Sequence, residues 1–590
     1  MSGGDGGEFK SFKDLLKSKG DGAPDPPPAD EPEDRGWTLD TGESGLDEAT
    51  LAELEEQGAG ARELVSMRPP AFGAMDTGPP PYADPNSEEM ELLASFRVRT
   101  LFPEDVLAEV EGLPENPSPD DWGERVDLRD QQIFTIDGED AKDFDDAISI
   151  RELEGGQLEV GVHIADVSHY VVPGTSLDAE AMARATSVYL ADQVVPMLPE
   201  KLSNGLCSLR PHVERFAYSV FMTFDAKGQR VDKRIHKSVI RSCQRNTYRV
   251  VQKLLDGEDD EETREIRHIE EPLRLFERWT KTQQKLRDAR GSMRIQSTER
   301  KFVFDEEHNV VGVVDAPRYF SQTLIEETAL AANQAVGDHF RERGLPIIYR
   351  VHPEKDPEEI ASVARMLEQH GLRVPNKDRL TGRDIARLIL AARRKPNAEA
   401  MIQRIMGLVE RAVYEVKDHE DVAKHFGLAR EAYLHFTSPI RRYPDLLVHR
   451  WLWAIESRGA EAEDELTAGR FLDDMNDIAL HSSLQAEMAE HAERAVGDLK
   501  ICQYMEPHIG EKLEAKIIRV AKPGITVHLN DYNVTGFLPS RSIGDRVIVK
   551  GSTLQIQAGR RSLSFSEGGP IVVELADVDF MRLQLMLKLP

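Results

Sequence analysis

The sequence predicts an α+β protein that ends in a small β-barrel, and three observations carry that expectation. Two β-rich runs come first: Leu158 to Val172 (LEVGVHIADVSHYVV), which alternates, and Ala217 to Phe224 (AYSVFMTF). Stretches with 3.6-residue apolar spacing follow, at Leu324 to Arg341, Glu358 to His370, Asn397 to Val416, Asp445 to Ser457 and Asp473 to Met505. Beyond Gly510 the chain returns to short strands separated by Gly, Pro and Asn-Asp turns. A sheet followed by many helices places the central domain in the α+β class.

Residues 1–88 read as a disordered acidic tail. They are rich in Gly, Pro, Asp and Glu and contain few β-branched or aromatic residues. Asp47 to Leu64 carries only a weak stripe of Leu51, Leu54 and Leu64, enough for a short helix. The tail is expected to be a solvated segment or a docking segment for a protein partner. Residues 89–125 form a linker, with an order-prone helix starting at Met90 and stopping at Phe102-Pro103. The main domain is placed at 126–507 and the barrel at 508–590. Leu513 to Val520, Gly524 to Leu529, Thr535 to Leu538, Val547 to Val549, Leu554 to Ile556 and Ile571 to Val573 supply the barrel's strands. Such a set suits an OB-type barrel, a common module for single-stranded nucleic acid.

Composition narrows the function classes. The 590 residues are 40% hydrophobic and 30% charged, and no apolar run approaches a membrane span. Met1 to Phe9 lacks the apolar core of a signal peptide. Cys207, Cys243 and Cys502 are odd in number, far apart and without metal-ligand spacing, so they read as thiols in a reducing cytoplasm. The net charge of −31 argues against indiscriminate affinity for nucleic acid over the whole surface. A nucleic acid would have to enter a local basic channel.

Thr135 to Ile150 (TIDGEDAKDFDDAISI) carries the strongest chemical signal. Asp137, Glu139, Asp140, Asp143, Asp145 and Asp146 crowd between the apolar runs Ile133, Phe134, Ile136 and Ala147, Ile148, Ile150. Carboxylates on a partly buried strand–loop–strand repel one another unless cations neutralise them. Hard oxygen ligands suit Mg²⁺, or Mn²⁺, and a two-metal site would use them to activate water and stabilise a leaving oxygen. The EF-hand frame is not met. The other reading of such a cluster is a solvated acidic loop.

Three further stretches contribute. His163 to Tyr170 (HIADVSHY) alternates, and a lone His there reads as a satisfied core residue. Tyr189 precedes a rigid, Pro-bounded loop within Thr186 to Pro211, where an aromatic ring could stack on a base for roughly 1–3 kcal/mol. Basic residues gather at Lys233 to Arg249, which includes Tyr248, at Arg287 to Lys301, and at Thr437 to Arg442. In the last, Ser438-Pro439 opens a turn or helix that fixes the directions of Arg441 and Arg442. A planar guanidinium there suits a phosphoryl oxygen.

Taken in order, TIDGEDAKDFDDA, HIADVSHY, MLPEKLSNGLCSL, LIEE (Leu324 to Glu327) and HFTSPIRRYPDLLVHR (His435 to Arg450) resemble the RNase II/RNase R family of processive 3′→5′ exoribonucleases, more closely RNase R. The likeness runs from about Phe102 to Arg519 and continues more weakly to the end. It implies an RNB-type catalytic domain followed by an S1-like barrel. It also implies that Asp137, Asp143, Asp145 and Asp146 hold Mg²⁺, with Asp145 essential for cleavage. Tyr189 would stack the 3′-terminal base, Glu326 would line the cavity, and Arg441, with Arg442 beside it, would contact the RNA phosphate. The implied substrate is single-stranded RNA, hydrolysed to nucleoside 5′-monophosphates by a cytoplasmic monomer.

The sequence departs from the family pattern in three places. The residues before the main domain read as an acidic tail and are not expected to fold as the family's pair of cold-shock barrels. No second base-clamping aromatic stands near Ile295. The terminal barrel is expected to carry an extra hairpin around Leu554 to Phe565 and to lack RNase R's long basic tail. Two alternatives stay open: a non-catalytic RNA-binding protein that keeps the fold, and an enzyme for very short oligoribonucleotides. The retention of all four Asp together with Arg441 and Tyr189 favours catalysis.

Overall fold

The computed structural model describes residues 88–590 except 293–298, 354, 370, 376–379, 396–397, 418–423, 545, 551 and 560. The expectations for the acidic tail up to residue 87, and for the missing aromatic near Ile295, lie outside the described residues.

The main domain is built on a seven-stranded sheet. Its strands lie in the order Val126–Asp127, Arg230–Arg241, Glu214–Phe224, Leu158–Ala165, Asp146–Glu152, Phe134–Asp137 and Gln244–Thr247. Most neighbours are antiparallel. The exceptions are the two edge pairs, in which Val126–Asp127 runs parallel to Arg230–Arg241 and Phe134–Asp137 runs parallel to Gln244–Thr247. The central strands read as near-continuous apolar runs because both faces of the sheet are covered. On one face Ile148, Val160, Val162, Ile164, Val220 and Met222 pack against Leu273, Phe276 and Trp279 of helix Glu270–Arg290. Leu324, Ala335 and Val336 of helix Phe320–Glu342 join the same core. On the other face Ala147, Ala165, Ala217 and Phe221 meet Leu177 and Ala181 of helix Ser176–Arg184, and Tyr443 and Leu446 of helix Tyr443–Arg458. Each large apolar side chain enclosed this way contributes about 1.5–3 kcal/mol.

The alternation of Leu158 to Val172 ends earlier than expected. The strand stops at Ala165, and Val167–His169 form a single 3₁₀ turn. Helices also begin before Leu324, at Tyr248–Asp256 and Glu270–Arg290. The Asn397 to Val416 stretch is a helix only over Ala398–Met406. Val413–Lys417 instead pairs with strand Ile347–Val351, because β-branched and aromatic residues found a strand partner. Helix Phe320–Glu342 passes close to the returning chain at Gly337, where an added Cβ would stand 1.9 Å from the Ala432 carbonyl oxygen. That approach seats the segment leading into Ser438–Arg442 against the core.

Helix Gly469–Met505, 37 residues and therefore about 55 Å long, links the two domains. Ala489, Ala492 and Val496 on it pack against Met90, Leu92 and Leu93 of helix Glu88–Ser95 and against Val188. Cys502 and Met505 at its end enter the barrel core. The barrel is closed, in the order Lys512–Val520, Gly524–Leu529, Val534–Pro539, Gln584–Lys588, Pro570–Asp579. The closing strand Gln584–Lys588 was not expected from the sequence. The expected hairpin exists, and a third strand joins it: Arg546–Lys550, Thr553–Ala558 and Arg561–Ser566 form a separate sheet inserted before Pro570. Among the described residues no helix is long and apolar enough to cross a membrane.

Candidate active site

Sheet pairing brings the acids together. Strand Phe134–Asp137 ends on Asp137, strand Asp146–Glu152 begins on Asp146, and the two are antiparallel partners. The eight residues between them therefore loop over one end of the sheet, with Asp143 and Asp145 in the returning arm. The loop is pinned from below. Phe144 is buried, its N–H donates to Ser208 Oγ at 3.1 Å, and Ser208 donates in turn to the Lys142 carbonyl at 2.7 Å. Arg245 donates to the carbonyls of Gly138 and Glu139.

Four of the six acids face inwards. Asp145 is 5% exposed and its Oδ1 accepts the Ile440 N–H at 2.9 Å. Its Oδ2 lies 3.7 Å from Arg441 Nε. Burial raises the Asp145 carboxyl well above the usual range. Arg441 and the Ile440 N–H oppose that rise, while Asp143 and Asp146 add to it. Burial likewise raises Asp137, reinforced by the charge of Asp146, and one buried oxygen of Asp137 has no hydrogen-bond partner. Asp146 is raised by burial against the pull of Arg441. Among the described residues no three His, Cys, Asp or Glu side chains stand together as a metal-holding group. The other two acids face outwards: Glu139 pairs with Arg249, and Asp140 is exposed near Lys301.

Tyr189 and Arg441 stand over this floor. Tyr189 lies on the short hairpin of Val188–Tyr189 and Val194–Val195. Its backbone N–H donates to Glu493 at 2.8 Å and its hydroxyl donates to Asp143 at 3.2 Å, yet 39% of the residue remains exposed. Arg441 is held by Ser438 Oγ at 3.1 Å and keeps 40% of its side chain exposed. The turn carrying it is tied to the Tyr189 arm, because Ser187 N–H donates to the Arg441 carbonyl at 3.0 Å.

The remaining expected residues lie apart. Arg442 turns away from the carboxylates and grips Asp445 through two hydrogen bonds of 2.9 and 2.7 Å, with 17% of its side chain exposed. An Asp three residues on, in the first turn of the helix that Arg442 precedes, takes the guanidinium that was expected to meet RNA. Glu326 accepts from Arg287 at 2.7 Å and is partly open. His163 is fully buried between Ser149 and Ser219, a satisfied core histidine.

Tyr248, named in the basic stretch but given no role there, is the first residue of its helix, and its hydroxyl is raised by burial and by the charges of Asp146 and Asp137. Two contributors escaped the sequence reading: Glu493, one acid among many on a long helix, and the Ile440 N–H, neither of which offered a signal.

The arrangement is a recess with carboxylates as its floor, a guanidinium at the rim and an aromatic face beside it. Residues 125–458 match the RNB domain family. Ribonuclease R of Thermotoga maritima is 36% identical over 483 residues, covering 82% of this chain and 67% of that protein. Ribonuclease R 1 of Lactococcus lactis is 34% identical over 500 residues, 84% of this chain and 60% of that one. The chain thus spans between 60% and 67% of the length of these two relatives. Mycoplasma genitalium RNase R in complex with ribose methylated single-stranded RNA has a similar structure, with a TM-score of 0.74 and 25% identity, covering 85% of this chain and 77% of that one.

Proposed function

The chain belongs to the RNB-domain family, and we propose that it is a divalent-metal-dependent 3′→5′ exoribonuclease acting on single-stranded RNA and releasing nucleoside 5′-monophosphates. The observation that carries this reading is the position of Arg441, open to solvent on one side and 3.7 Å from the buried Asp145 on the other. A phosphodiester seated on that guanidinium would lie directly above the carboxylates.

The residues present fit a hard cation. Asp137, Asp143, Asp145 and Asp146 offer only oxygen donors. Burial raises three of them, and Asp137 keeps an unpartnered buried oxygen, so full ionisation calls for added positive charge. Mg²⁺ or Mn²⁺ held by these four would supply that charge and lower the pKa of a bound water to make it a nucleophile.

The chain's own groups do the rest. The Ile440 N–H and Arg441 fix Asp145 in one orientation. Arg441 grips the scissile phosphate and neutralises charge that develops on it. Tyr189 stacks the 3′-terminal base, and its hydroxyl bond to Asp143 fixes the spacing between base and carboxylates. Glu326, held by Arg287, lines the approach. Arg442 acts through Asp445, setting the turn that aims Arg441. The three free thiols suit a reducing compartment, and we place the activity in the cytoplasm.

The test compares the parent protein with Asp145→Asn on a 5′-labelled unstructured RNA with Mg²⁺. Stepwise shortening to a labelled end product by the parent, absent in the variant, is the expected result. Retained RNA binding without cleavage by the parent would overturn the enzyme reading in favour of a binding protein.

A further inference from the structure

Beyond Arg441, among the described residues, a group of arginines has fewer carboxylates than guanidinium groups to match. Arg350, on strand Ile347–Val351, rests its guanidinium 4.5 Å from the centre of the Tyr414 ring. Its charged neighbours are the arginines 442 and 411, both repulsive, and among the described residues no carboxylate pairs with it. Arg430 has a buried Nε without an acceptor. Arg290 and Arg287 repel it, and Glu327 is an acidic neighbour. Glu327 is already bonded to Arg287 at 2.9 Å and also faces Arg290, and Glu326 bonds Arg287 as well, so among the described residues two carboxylates serve three arginines.

This imbalance is costly. Burial draws Arg350, Arg430 and Arg290 below the usual arginine range, yet none of the three is closed off from solvent. Ring contacts lead from Arg350 towards the segment that carries Arg441: its guanidinium lies over Tyr414, whose hydroxyl is 2.9 Å from Nδ1 of His435. Tyr433 packs edge-on against His425 at 5.3 Å, adding flat apolar faces among the cations. Unmatched guanidinium forks interleaved with aromatic rings are what a single-stranded polyanion requires, since each phosphate takes one fork and each base one face.

We propose that Arg350 and Arg430 are binding stations for the internucleotide phosphates immediately upstream of the scissile one, so that the RNA backbone reaches Arg441 along this group of arginines. The proposal rests on the exoribonuclease reading and identifies which side of the recess the substrate's backbone follows. Leaving the stations empty costs repulsion among the arginines, and a phosphate at each relieves it.

The experiment uses the full chain carrying Asp145→Asn, which keeps the substrate intact, and a series of 5′-labelled oligoribonucleotides. In each oligonucleotide one phosphate near the 3′ end is replaced by a neutral methylphosphonate. Neutralising the phosphate at a station should weaken binding about tenfold, the size of a lost charge-assisted hydrogen bond. Adding Arg350→Met or Arg430→Met should abolish that penalty at one position each. Each substitution should also make the dependence of log affinity on log salt shallower by about 0.7. Arg350→Lys, which keeps charge but loses the fork, should retain part of the penalty and controls for folding, alongside the thermal midpoint. Position-specific penalties that persist unchanged in both Met variants would overturn the stations while leaving the enzyme reading intact. A folded Asp145→Asn protein that binds no RNA would overturn both.

Discussion

Ile440 donates its backbone N–H to Asp145 Oδ1 at 2.9 Å across 295 residues of sequence. The next residue, Arg441, then falls 3.7 Å from the other oxygen of the same carboxylate. One turn thus holds the acid and aims the guanidinium, so their spacing is set by backbone rather than by two flexible side chains. Pre-set geometry of this kind favours transition-state stabilisation because no reorganisation is needed when charge develops.

Arg441→Ala should therefore lower kcat by about 10²–10³, the usual cost of removing one charge-stabilising donor. Arg441→Lys should recover only part of it, since an ammonium cannot present a planar fork. The check is single-turnover cleavage of a labelled RNA at saturating enzyme, with RNA affinity measured separately. Equal rates for parent and Arg441→Ala would remove the arginine from the reaction.

Tyr189 offers a separable pair of functions, because its ring is exposed while its hydroxyl is bonded to Asp143. Tyr189→Ala should weaken binding of short oligoribonucleotides by ~1–3 kcal/mol, the value of one base–aromatic stack. Tyr189→Phe keeps the ring and should keep that affinity, with any loss falling on kcat through a looser acid loop. Anisotropy titrations and steady-state kinetics on the same RNA distinguish the two.

The stability of the site depends on a buried ion pair outside it. Asp178 accepts from Arg450 at 2.6 Å, from the Tyr443 hydroxyl at 2.9 Å and from the Gly174 N–H at 2.9 Å. Both charged side chains are under 10% exposed. This joins helix Ser176–Arg184 to helix Tyr443–Arg458, which begins just after Arg441. Asp178→Ala would leave Arg450 buried and uncompensated, and should cost ~3–5 kcal/mol in chemical denaturation. Asp178→Asn, which can still accept hydrogen bonds, should cost less.

These relationships also show how far the sequence could be read. The acid cluster was visible because its members crowd into one short segment flanked by apolar runs, and Arg441 because a Ser-Pro turn precedes it. Arg441 and Arg442 could not be told apart by identity. Asp445 decides between them, and it acts only once the helix has formed. Glu493 reaches the Tyr189 N–H from 304 residues away, which no local pattern announces. Strand Gln584–Lys588 (QLMLK) has residues of weak strand preference and is recruited by barrel closure between two other strands. Helix Glu270–Arg290 shows an apolar face mainly in its first half, at Leu273, Phe276 and Trp279, so its period is short in sequence.

Asp498, on the helix that links the domains, should make stability fall as pH rises. Burial lifts its carboxyl to about 6, against the opposing charges of Arg300 and Arg494. In the unfolded chain it ionises near the ordinary value of 3.8. Between those two values the folded state holds a proton that the unfolded state has released, so stability declines through this window and stays reduced above it. Asp498→Asn removes the ionisable group. It should leave stability unchanged below pH 4, gain progressively between pH 4 and 6, and be more stable by about 1–2 kcal/mol at pH 7, allowing for partial solvent access. Denaturation midpoints of parent and variant across that range provide the check. A difference that does not vary with pH would mean that Asp498 is ionised in the folded protein throughout.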